Sequence, residues 1–399
     1  MAADPTLTLT LTGHVQGVGL RWWASRRMAE LSLTGSATNL PDGSVEIVAG
    51  GRRADLERLV RAVREGEAPG AVESADVRWS EPDGAEADER VDVLVVGGGP
   101  AGLSAALVLG RSRRRVLVVD GGRPRNAAAG HMQGYLGRDG LAPAEFLALG
   151  REEVRRYGVE VRAGRVERLL PEVERSWVEV RLEGGGLVRA RRVIVATGLR
   201  DVLPDVPGIG ERWGRDVLHC PYCHGWEVRD SAMAVIAATP DEADKAITMT
   251  QWSWDVALVL DGTSLEELGE ARRRRLTALG VAVLEGEVAG LVVEDDAVTG
   301  LRLSDGRVHP CATVVVQPTV VACDELLTAV GAEVEEGPFG RFVVTDETGA
   351  TGVPGIWVAG NVGDPQAQVV IAAAGGYRAA LAVDHDLILE DADRAVGVS

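Results

Sequence analysis

The stretch VDVLVVGGGPAGLSAALVLG, residues 91–110, decides the fold of most of this chain. An apolar strand runs directly into a G-x-G-x-x-G pattern, formed by Gly97, Gly99 and Gly102, and an apolar helix follows. Gly97 permits a tight turn, Gly99 lets a pyrophosphate approach the backbone, and Gly102 allows close packing of helix and strand. Free N–H groups at the start of the helix favour an anion there. The stretch therefore predicts a dinucleotide-binding unit.

The pattern continues on the C-terminal side of this unit. Asp120 ends the next strand, where a carboxylate can bind ribose hydroxyls. A second strand-helix-strand pattern runs from SAMAVIAATPDEADKA to DVALVLDG, and the tail GIWVAGNVGDPQAQVVIAAAGGYRAALAV is typical of a strand, a loop and a helix. We predict two Rossmann-like units, one formed by residues 91–203 and 309–399 and the other inserted between them as residues 204–308.

A different pattern precedes residue 81. The acidic stretch SEPDGAEADER predicts a linker at residues 81–90. In residues 1–80, TLTLTLTG alternates as a strand does, and LRWWASRRMAELSL and ADLERLVRAVREG have helical periodicity. LTGSATNL, SVEIVAG and VESADVRW complete the order βαββαβ, which is ferredoxin-like. The fold class is therefore α/β, with a small α+β domain before the two Rossmann-like units.

Charge and apolar runs exclude several classes of protein. The net charge of −18 argues against nucleic-acid and anionic-membrane binding, because both partners are polyanions. No uncharged run reaches the ~20 apolar residues of a spanning helix. The N-terminus lacks a basic region followed by an apolar one, so we expect no secretory signal and a cytoplasmic location. In that compartment a Cys-x-x-Cys pair is more often catalytic or metal-binding than structural.

The segment HCPYCHGWE contains such a pair, Cys220 and Cys223. A zinc site needs two more ligands, but Cys311 and Cys323 do not form a second Cys-x-x-Cys and no histidine pair has finger spacing. We therefore predict no metal site. CPYCH also matches the c-type haem attachment pattern, which belongs outside the cytosol. The spacing alone leaves open a redox disulfide and two inert buried thiols, and it assigns no role to Cys311 or Cys323.

Four motifs occur in an order that resembles the thioredoxin reductase group of flavoproteins: GGGPAG, RVIVATGLRDVLPDVPG, CPYCHGWE and GIWVAGNVGDP. The resemblance covers about residues 91–390 and implies bound FAD, an FAD/NAD(P) oxidoreductase fold and a homodimer. It places Ala196, Thr197 and Gly198 at the second flavin-contacting strand end. Gly360 and Asn361 match the C-terminal Gly-Asp motif, with Asn in place of Asp. Asparagine can still form hydrogen bonds to ribityl or phosphate oxygens.

The same resemblance implies a redox role for the cysteine pair. Cys223 would face the flavin as the charge-transfer partner, and Cys220 would exchange with the substrate. His224 takes the position where many thioredoxin reductases carry an aspartate acid/base. An imidazole can accept a thiol proton near neutral pH and, as imidazolium, favour a neighbouring thiolate. The alternative for His224 is a purely structural histidine.

The pyridine-nucleotide signature is weak. In VIAATPDEADKA, alanine and threonine occupy the glycine positions, and Asp241 and Glu242 would repel a pyrophosphate. The next strand ends at Asp261 rather than at an arginine pair, and ARRRR, residues 271–275, is most simply a solvated basic face. NADPH use is therefore doubtful. The chain better resembles dithiol oxidases that close disulfides in gliotoxin- and holomycin-like metabolites, which implies electron transfer from a substrate dithiol through Cys223 to FAD and oxygen.

The N-terminal segment carries its own motif. GHVQGVGLR, residues 13–21, is a Gly-punctuated loop that ends in Arg21 and can cradle an anion, and TNLPDG places Asn39 before a turn. With the βαββαβ order this resembles acylphosphatase, although Leu20 stands where phenylalanine is usual. The resemblance implies that Arg21 binds the phosphate of an acyl phosphate and that Asn39 orients the attacking water. Catalysis would then need no covalent nucleophile.

Three hypotheses compete. The first is a bifunctional enzyme in which an acylphosphatase is joined to an FAD-dependent thiol-disulfide oxidoreductase that acts on a small dithiol or a protein disulfide. The second is an NADPH-dependent thioredoxin reductase-like enzyme with a non-catalytic, anion-binding N-terminal domain. The third is an assembly in which only the flavin half turns over. We prefer the first.

Overall fold

The computed structural model describes residues 6–80, 89–172 and 177–397. The chain forms two compact units, Met1–Glu89 and Arg90–Ser399, which are described separately below. Most of the predicted linker lies outside the described residues, and its last two residues, Glu89 and Arg90, begin a strand. No described helix is both long enough and apolar enough to cross a bilayer.

The first unit has the predicted βαββαβ order. Its elements are β1 (Thr6–His14), α1 (Leu20–Glu30), β2 (Thr34–Asn39), β3 (Val45–Gly50), α2 (Arg53–Arg64) and β4 (Ala71–Ser80). The sheet order is β2-β3-β1-β4, and neighbouring strands are antiparallel. Threonine and leucine alternate in β1. Because successive side chains of a strand point to opposite faces, all the leucines face the core. Leu7, Leu9 and Leu11 are accordingly fully buried.

The second unit begins with the predicted dinucleotide-binding pattern. Its first elements are β5 (Glu89–Val96), α3 (Pro100–Arg111), β6 (Val116–Asp120), α4 (Pro143–Arg155), β7 (Glu160–Ala163), β8 (Val166–Glu172), β9 (Trp177–Leu182) and β10 (Leu187–Val195). These strands form a sheet of order β7-β6-β5-β10-β9-β8. The strands β5, β6 and β7 are parallel, as the connecting helices require.

The middle of the second unit forms another sheet. Its elements are β11 (Leu199–Val202), α5 (Ile209–Arg212), β12 (Val217–Leu218), α6 (Pro221–His224), β13 (Met233–Ala237), α7 (Asp244–Met249), β14 (Val256–Leu260), α8 (Gly269–Ala278), β15 (Ala282–Glu285), β16 (Val288–Glu294), β17 (Ala297–Leu303), β18 (Val308–Pro310) and β19 (Thr313–Val315). The parallel order is β12-β19-β13-β14-β15. Because β19 is an inner strand of this sheet, the inserted unit extends beyond residue 308, where we placed its end.

The chain then returns to the first sheet. The last elements are β20 (Thr319–Ala322), α9 (Glu325–Ala329), β21 (Val334–Gly337), β22 (Gly340–Val343), β23 (Ile356–Val358) and α10 (Val369–Ala395). Strand β23 pairs in parallel with β10, and β20 pairs with β11, so the two connections between the sheets lie side by side. The architecture is the α/β fold class predicted from the sequence, with two Rossmann-like sheets in the second unit.

Candidate active site

A cavity of about 690 Å³ lies in the second unit and is lined by residues of both of its Rossmann-like sheets and their loops. It brings together residues that are far apart in the sequence, and all but one of the site residues predicted for this unit line it. The lining includes Gly97, Gly99, Asp120, Ala196, Thr197, Gly198, Cys220, Cys223, His224, Gly360 and Asn361. Because both the glycine loop and the cysteine pair contribute to its wall, a single ligand in this cavity can contact both.

The glycine loop has the geometry of a dinucleotide cradle. Gly97 has a φ of 105°, and a Cβ there would overlap the carbonyl oxygen of Ala196. A Cβ at Gly102, the predicted residue that does not line the cavity, would overlap the carbonyl oxygen of Gly97. A Cβ at Gly99 would instead occupy open space at the start of α3, where a phosphate needs access to the backbone. A side chain is thus sterically excluded at Gly97 and Gly102, and the backbone at Gly99 is open to a ligand.

Asp120 ends β6 at the rim of this cradle. Its Oδ2 accepts a hydrogen bond of 2.9 Å from Arg151, and its Oδ1 accepts one of 3.1 Å from the Gly122 N–H. Burial alone would raise the pKa of Asp120, but the hydrogen bonds from Arg151, Gly122 and Gly98 hold it below its ordinary value. The carboxylate is thus ionised at neutral pH and able to accept hydrogen bonds from ribose hydroxyls.

The segment Ala196–Gly198 lines the cavity directly beside the glycine loop. The Thr197 hydroxyl donates to the Cys323 carbonyl oxygen at 2.6 Å, and the Cys323 N–H donates to the Gly198 carbonyl oxygen at 2.9 Å. Because the main chain of Cys323 makes both contacts, this cysteine holds the strand end in place without using its thiol. The other free cysteine, Cys311, is buried, and burial raises its pKa to about 12.

Asn361 has a narrower role than the sequence suggested. Its Nδ2 donates to the carbonyl oxygens of Asp364 and Ala367, each at 2.9 Å, and so fastens the loop that leads into α10. Only Oδ1 remains for a ligand, and this oxygen is an acceptor. The side chain therefore suits a ribityl hydroxyl and not a phosphate oxygen.

Cys220 and Cys223 form a disulfide with a Cα–Cα distance of 5.3 Å. The Gln368 amide, at the start of α10, lies against both sulfur atoms. Its Oε1 is 3.1 Å from Cys223 Sγ, and its Nε2 is 3.5 Å from Cys220 Sγ. Spacing in the sequence could not have indicated Gln368, because α10 is far from the cysteines along the chain.

His224 follows the disulfide and lines the same cavity. Its Nδ1 is buried and has no hydrogen-bond partner among the described residues. Burial lowers its pKa, and Glu227 offsets this only in part. The imidazole is therefore neutral at pH 7, with a ring nitrogen available to accept a proton.

The loop after β13 corresponds to a second dinucleotide-binding loop. A carboxylate of the chain itself lies where this loop would bind a pyrophosphate. Glu242 Oε2 accepts a hydrogen bond of 2.8 Å from the N–H of Ala238, a backbone group that would otherwise face a pyrophosphate. Arg272 pairs with Asp241 at 3.0 Å and with Asp244 at 2.7 Å. The arginine run is therefore not simply a solvated face, since one of its members neutralises the two aspartates beside this loop.

In the first unit, the predicted anion loop lies next to Asn39. Gln16 Nε2 donates to the carbonyl oxygens of Leu40 and Ser44, each at 2.9 Å, and so ties the loop to the turn that follows β2. Gly19 has a φ of 84°, which positions the start of α1 behind the loop. Arg21 is exposed in the first turn of α1, and no carboxylate of the described chain pairs with it.

Comparison with known proteins agrees with this geometry. Residues 91–376 match the family described as pyridine nucleotide-disulphide oxidoreductase. The chain belongs to that family. Residues 7–90 match the acylphosphatase family, so an acylphosphatase domain is fused to the N-terminal side. Both are enzyme families, and membership of the first implies flavin binding. The open space at Gly99 and the ionised Asp120 fit FAD.

Individual relatives support both assignments. A solved structure described as the crystal structure of HlmI is 49% identical, with a TM-score of 0.73 over 77% of this chain and 95% of that chain. Thioredoxin reductase tcpT from Claviceps purpurea (strain 20.1) is 33% identical over 292 residues, 68% of this chain and 87% of the relative. An acylphosphatase from Thermobifida fusca (strain YX) is 55% identical over 74 residues, 18% of this chain and 81% of the relative. The predicted resemblance to thioredoxin reductase-like enzymes and to acylphosphatase is thereby confirmed.

Proposed function

We propose that this chain is a bifunctional enzyme, an FAD-dependent dithiol oxidase that uses oxygen, joined to an acylphosphatase. One observation carries the oxidase assignment. The Cys220–Cys223 disulfide shares a cavity with the dinucleotide cradle, whereas the anion position of the second loop is taken by Glu242. A substrate dithiol can therefore deliver electrons at the disulfide, whereas NADPH lacks a place for its pyrophosphate at the second loop.

The reaction begins with thiol-disulfide exchange. A substrate thiolate attacks Cys220 Sγ, which forms a substrate–Cys220 disulfide and breaks the Cys220–Cys223 bond, so that Cys223 leaves as a thiolate. The second substrate thiol loses its proton to His224 and attacks the substrate sulfur bound to Cys220. The substrate leaves as a disulfide, and Cys220 leaves as a thiolate. FAD held by the glycine loop and Asp120 would supply the two-electron acceptor that lets the Cys220–Cys223 disulfide re-form, and oxygen would take up the two electrons as hydrogen peroxide.

Gln368 and His224 have distinct roles in this exchange. The Nε2 of Gln368 can donate to the Cys220 thiolate, because it already lies 3.5 Å from that sulfur. The Oε1, at 3.1 Å from Cys223 Sγ, can accept a hydrogen bond from a Cys223 thiol. His224 holds the proton of the attacking substrate thiol.

The oxidase and reductase hypotheses make opposite predictions for the flavin band. In an anaerobic cuvette, a small dithiol such as dithiothreitol is expected to bleach the purified yellow protein, and air is expected to restore the colour. An equal concentration of NADPH is expected to bleach it at least about a hundredfold more slowly, because Glu242 occupies the position of its pyrophosphate. Prompt bleaching by NADPH would instead make the chain a reductase of the thioredoxin reductase kind.

A pH profile tests the assignment of His224 as the base. Only neutral imidazole accepts a proton, and burial lowers the His224 pKa below its ordinary value of 6.5. We therefore expect the His224-dependent part of kcat/KM for the dithiol to persist at pH 6.5. It should be lost at lower pH, as the imidazole becomes protonated. His224→Asn should remove this acid limb and lower kcat/KM at pH 7 by about a hundredfold. The exposed His131 offers a matched control, and an unchanged profile in His224→Asn would leave His224 a structural residue.

The acylphosphatase proposal rests on the tie between the anion loop and the turn after Asn39. Arg21 binds the phosphate of an acyl phosphate, and Asn39 orients the attacking water. Gln16 keeps these two elements at one end of the sheet through its bonds to Leu40 and Ser44. The carboxyl–phosphate bond is already reactive, so positioning and charge stabilisation are sufficient for hydrolysis.

A homodimer is part of the same proposal, and an exposed apolar surface of α10 supports it. Val370, Ile371, Tyr377, Leu381, Ile388 and Leu389 are each between 43% and 54% exposed. Apolar groups at this density on one helix are typical of a surface that a partner covers. Light scattering on the eluted protein should give twice the 42.1 kDa mass of the chain, and a monomer at micromolar concentration would contradict the proposal.

A further inference from the structure

A half-buried lysine lies beside the disulfide, and the mechanism above does not use it. Lys245, on α7, lines the same cavity as Cys220. Its Nζ is 2.9 Å from Nδ1 of His219, the residue before Cys220, and 2.6 Å from Oε1 of Gln317. His219 follows β12 and Gln317 follows β19, two parallel neighbours whose carboxyl ends meet at one edge of the sheet. The fold therefore holds an ammonium group against the residue that precedes the exchange cysteine.

This ammonium group has three hydrogen-bond acceptors, and no carboxylate of the described chain forms an ion pair with it at contact distance. The third acceptor is the Val316 carbonyl oxygen, at 3.3 Å, so each of the three N–H bonds has a partner. All three acceptors are neutral when His219 is neutral. A partly desolvated cation with no carboxylate partner is costly, and a nearby anion would stabilise it. Cys220, whose sulfur becomes an anion during the proposed reaction, directly follows the His219 acceptor and lines the same cavity as Lys245.

The choice of lysine at this position contrasts with the rest of the chain. Of 42 lysine and arginine residues, Lys245 is the only lysine. A guanidinium remains charged at any working pH, whereas a buried ammonium can gain and lose a proton near neutrality. Composition alone would place an arginine here. The one lysine of the chain therefore lies in the cavity of the disulfide, where a compact cation that can titrate is able to respond to a thiolate.

We propose that Lys245 is a positioning residue of the disulfide site, which acts through His219 to stabilise the thiolate that Cys220 becomes during thiol-disulfide exchange. This inference deepens the proposed function and rests on it for the identity of the attacking dithiol. The relevant step is the second exchange, in which the sulfur–sulfur bond of the product forms and the substrate–Cys220 bond breaks. The electron pair of that broken bond remains on Cys220, and a stabilised thiolate is a better leaving group.

The surrounding charges agree with this role. Burial, then Lys245 and Arg125, lower the pKa of His219 to about 4, while Asp201 opposes them. His219 is thus neutral, and its Nδ1 accepts a hydrogen bond from Lys245 Nζ. Burial lowers the pKa of Lys245 to about 8, and Glu242 opposes it. Arg125 and Asp201 pair with each other at 2.7 Å, so neither offers a free charge to Cys220.

The first test measures the thiol pKa of Cys220 without oxygen or turnover. In the flavin-loaded Cys223→Ser protein, alkylation of Cys220 by iodoacetamide is followed against pH by peptide mass spectrometry. Adding Lys245→Met should raise the Cys220 pKa and lower the alkylation rate at pH 7 about tenfold. Arg273→Met removes the same charge from an exposed residue of α8 and should leave the profile unchanged. Coincident profiles for Lys245→Met and its parent would overturn the proposal.

The second test uses the unmodified chain, so it does not depend on how a variant folds. With ¹³C-lysine labelling, the protein has a single lysine side-chain signal, because Lys245 is the only lysine. By linkage, a Cys220 thiolate must raise the Lys245 pKa as much as Lys245 lowers that of Cys220. The signal should titrate at higher pH after anaerobic reduction by a dithiol than in the disulfide form. Identical titrations would overturn the role of Lys245, whereas failure of a dithiol to reduce the flavin would overturn the proposed function.

Discussion

Cys220→Ser is expected to lower oxygen consumption with a small dithiol by at least about a thousandfold, which corresponds to a loss of about 4 kcal/mol of transition-state stabilisation. The reason is chemical. A serine hydroxyl cannot form the mixed disulfide with substrate, and it leaves Cys223 without a partner for its disulfide. The flavin should remain bound, because Cys220 contributes only one sulfur to the cavity wall. An oxygen electrode and the flavin spectrum of the same sample measure both effects.

The chain supplies matched controls for this result. Cys311 is buried between β18 and β19 with a pKa raised to about 12, and Cys323 contacts the cavity wall through its main chain. Cys311→Ala and Cys323→Ala should therefore keep oxidation within about twofold of the parent, since neither thiol takes part. Cys223→Ser should fall as far as Cys220→Ser. If Cys220→Ser still oxidised dithiols at the parent rate, the redox centre would lie elsewhere in the chain.

The parts of this structure that were predictable from the sequence are those encoded by local spacing. The turn at Gly97 and the close packing at Gly102 each depend on a backbone position where a side chain would overlap a carbonyl oxygen, and Gly99 leaves the start of α3 open. The alternation of Leu7, Leu9 and Leu11 likewise identified the buried face of β1. Such features need only neighbouring residues, so one sequence is enough to show them.

The contacts that were not predictable depend on tertiary structure. Gln368 reaches the disulfide from the start of α10, and Lys245 reaches His219 from α7. No spacing rule connects these positions, because loops of variable length separate the elements that carry them. The pairing of Arg272 with Asp241 and Asp244 was missed for the same reason, since its run of arginines is typical of a solvated helix.

The end of the inserted unit was misplaced for a related reason. A short strand such as β19, Thr313–Val315, has too few residues to show which of two neighbouring sheets it joins. Only its parallel pairing with β12 and β13 assigns it to the second sheet. This pairing matters for the site, because Gln317 follows two residues after the end of β19 and is one of the acceptors of Lys245.

Arg21→Ala is the second change for which we expect a large effect, a fall of about a thousandfold in kcat/KM for benzoyl phosphate. Arg21 carries the exposed guanidinium of the anion loop, and no carboxylate of the described chain competes for it. A planar guanidinium binds two phosphate oxygens at once and stabilises the charge that the phosphoryl group keeps in the transition state. Loss of one such donor removes about a hundred- to a thousandfold of rate, and loss of a charged one falls at the upper end.

Two controls separate this effect from a loss of folding. Arg26→Ala removes an arginine from the same helix, but Arg26 pairs with Glu30 on the exposed surface, so hydrolysis should remain within about twofold. Dithiol oxidation by Arg21→Ala should be unchanged, because its residues all lie in the second compact unit. Hydrolysis that survived Arg21→Ala would place the phosphate elsewhere. A parent protein without hydrolytic activity would instead leave the first unit an anion-binding or packing module, because a site that keeps its residues does not by itself prove catalysis.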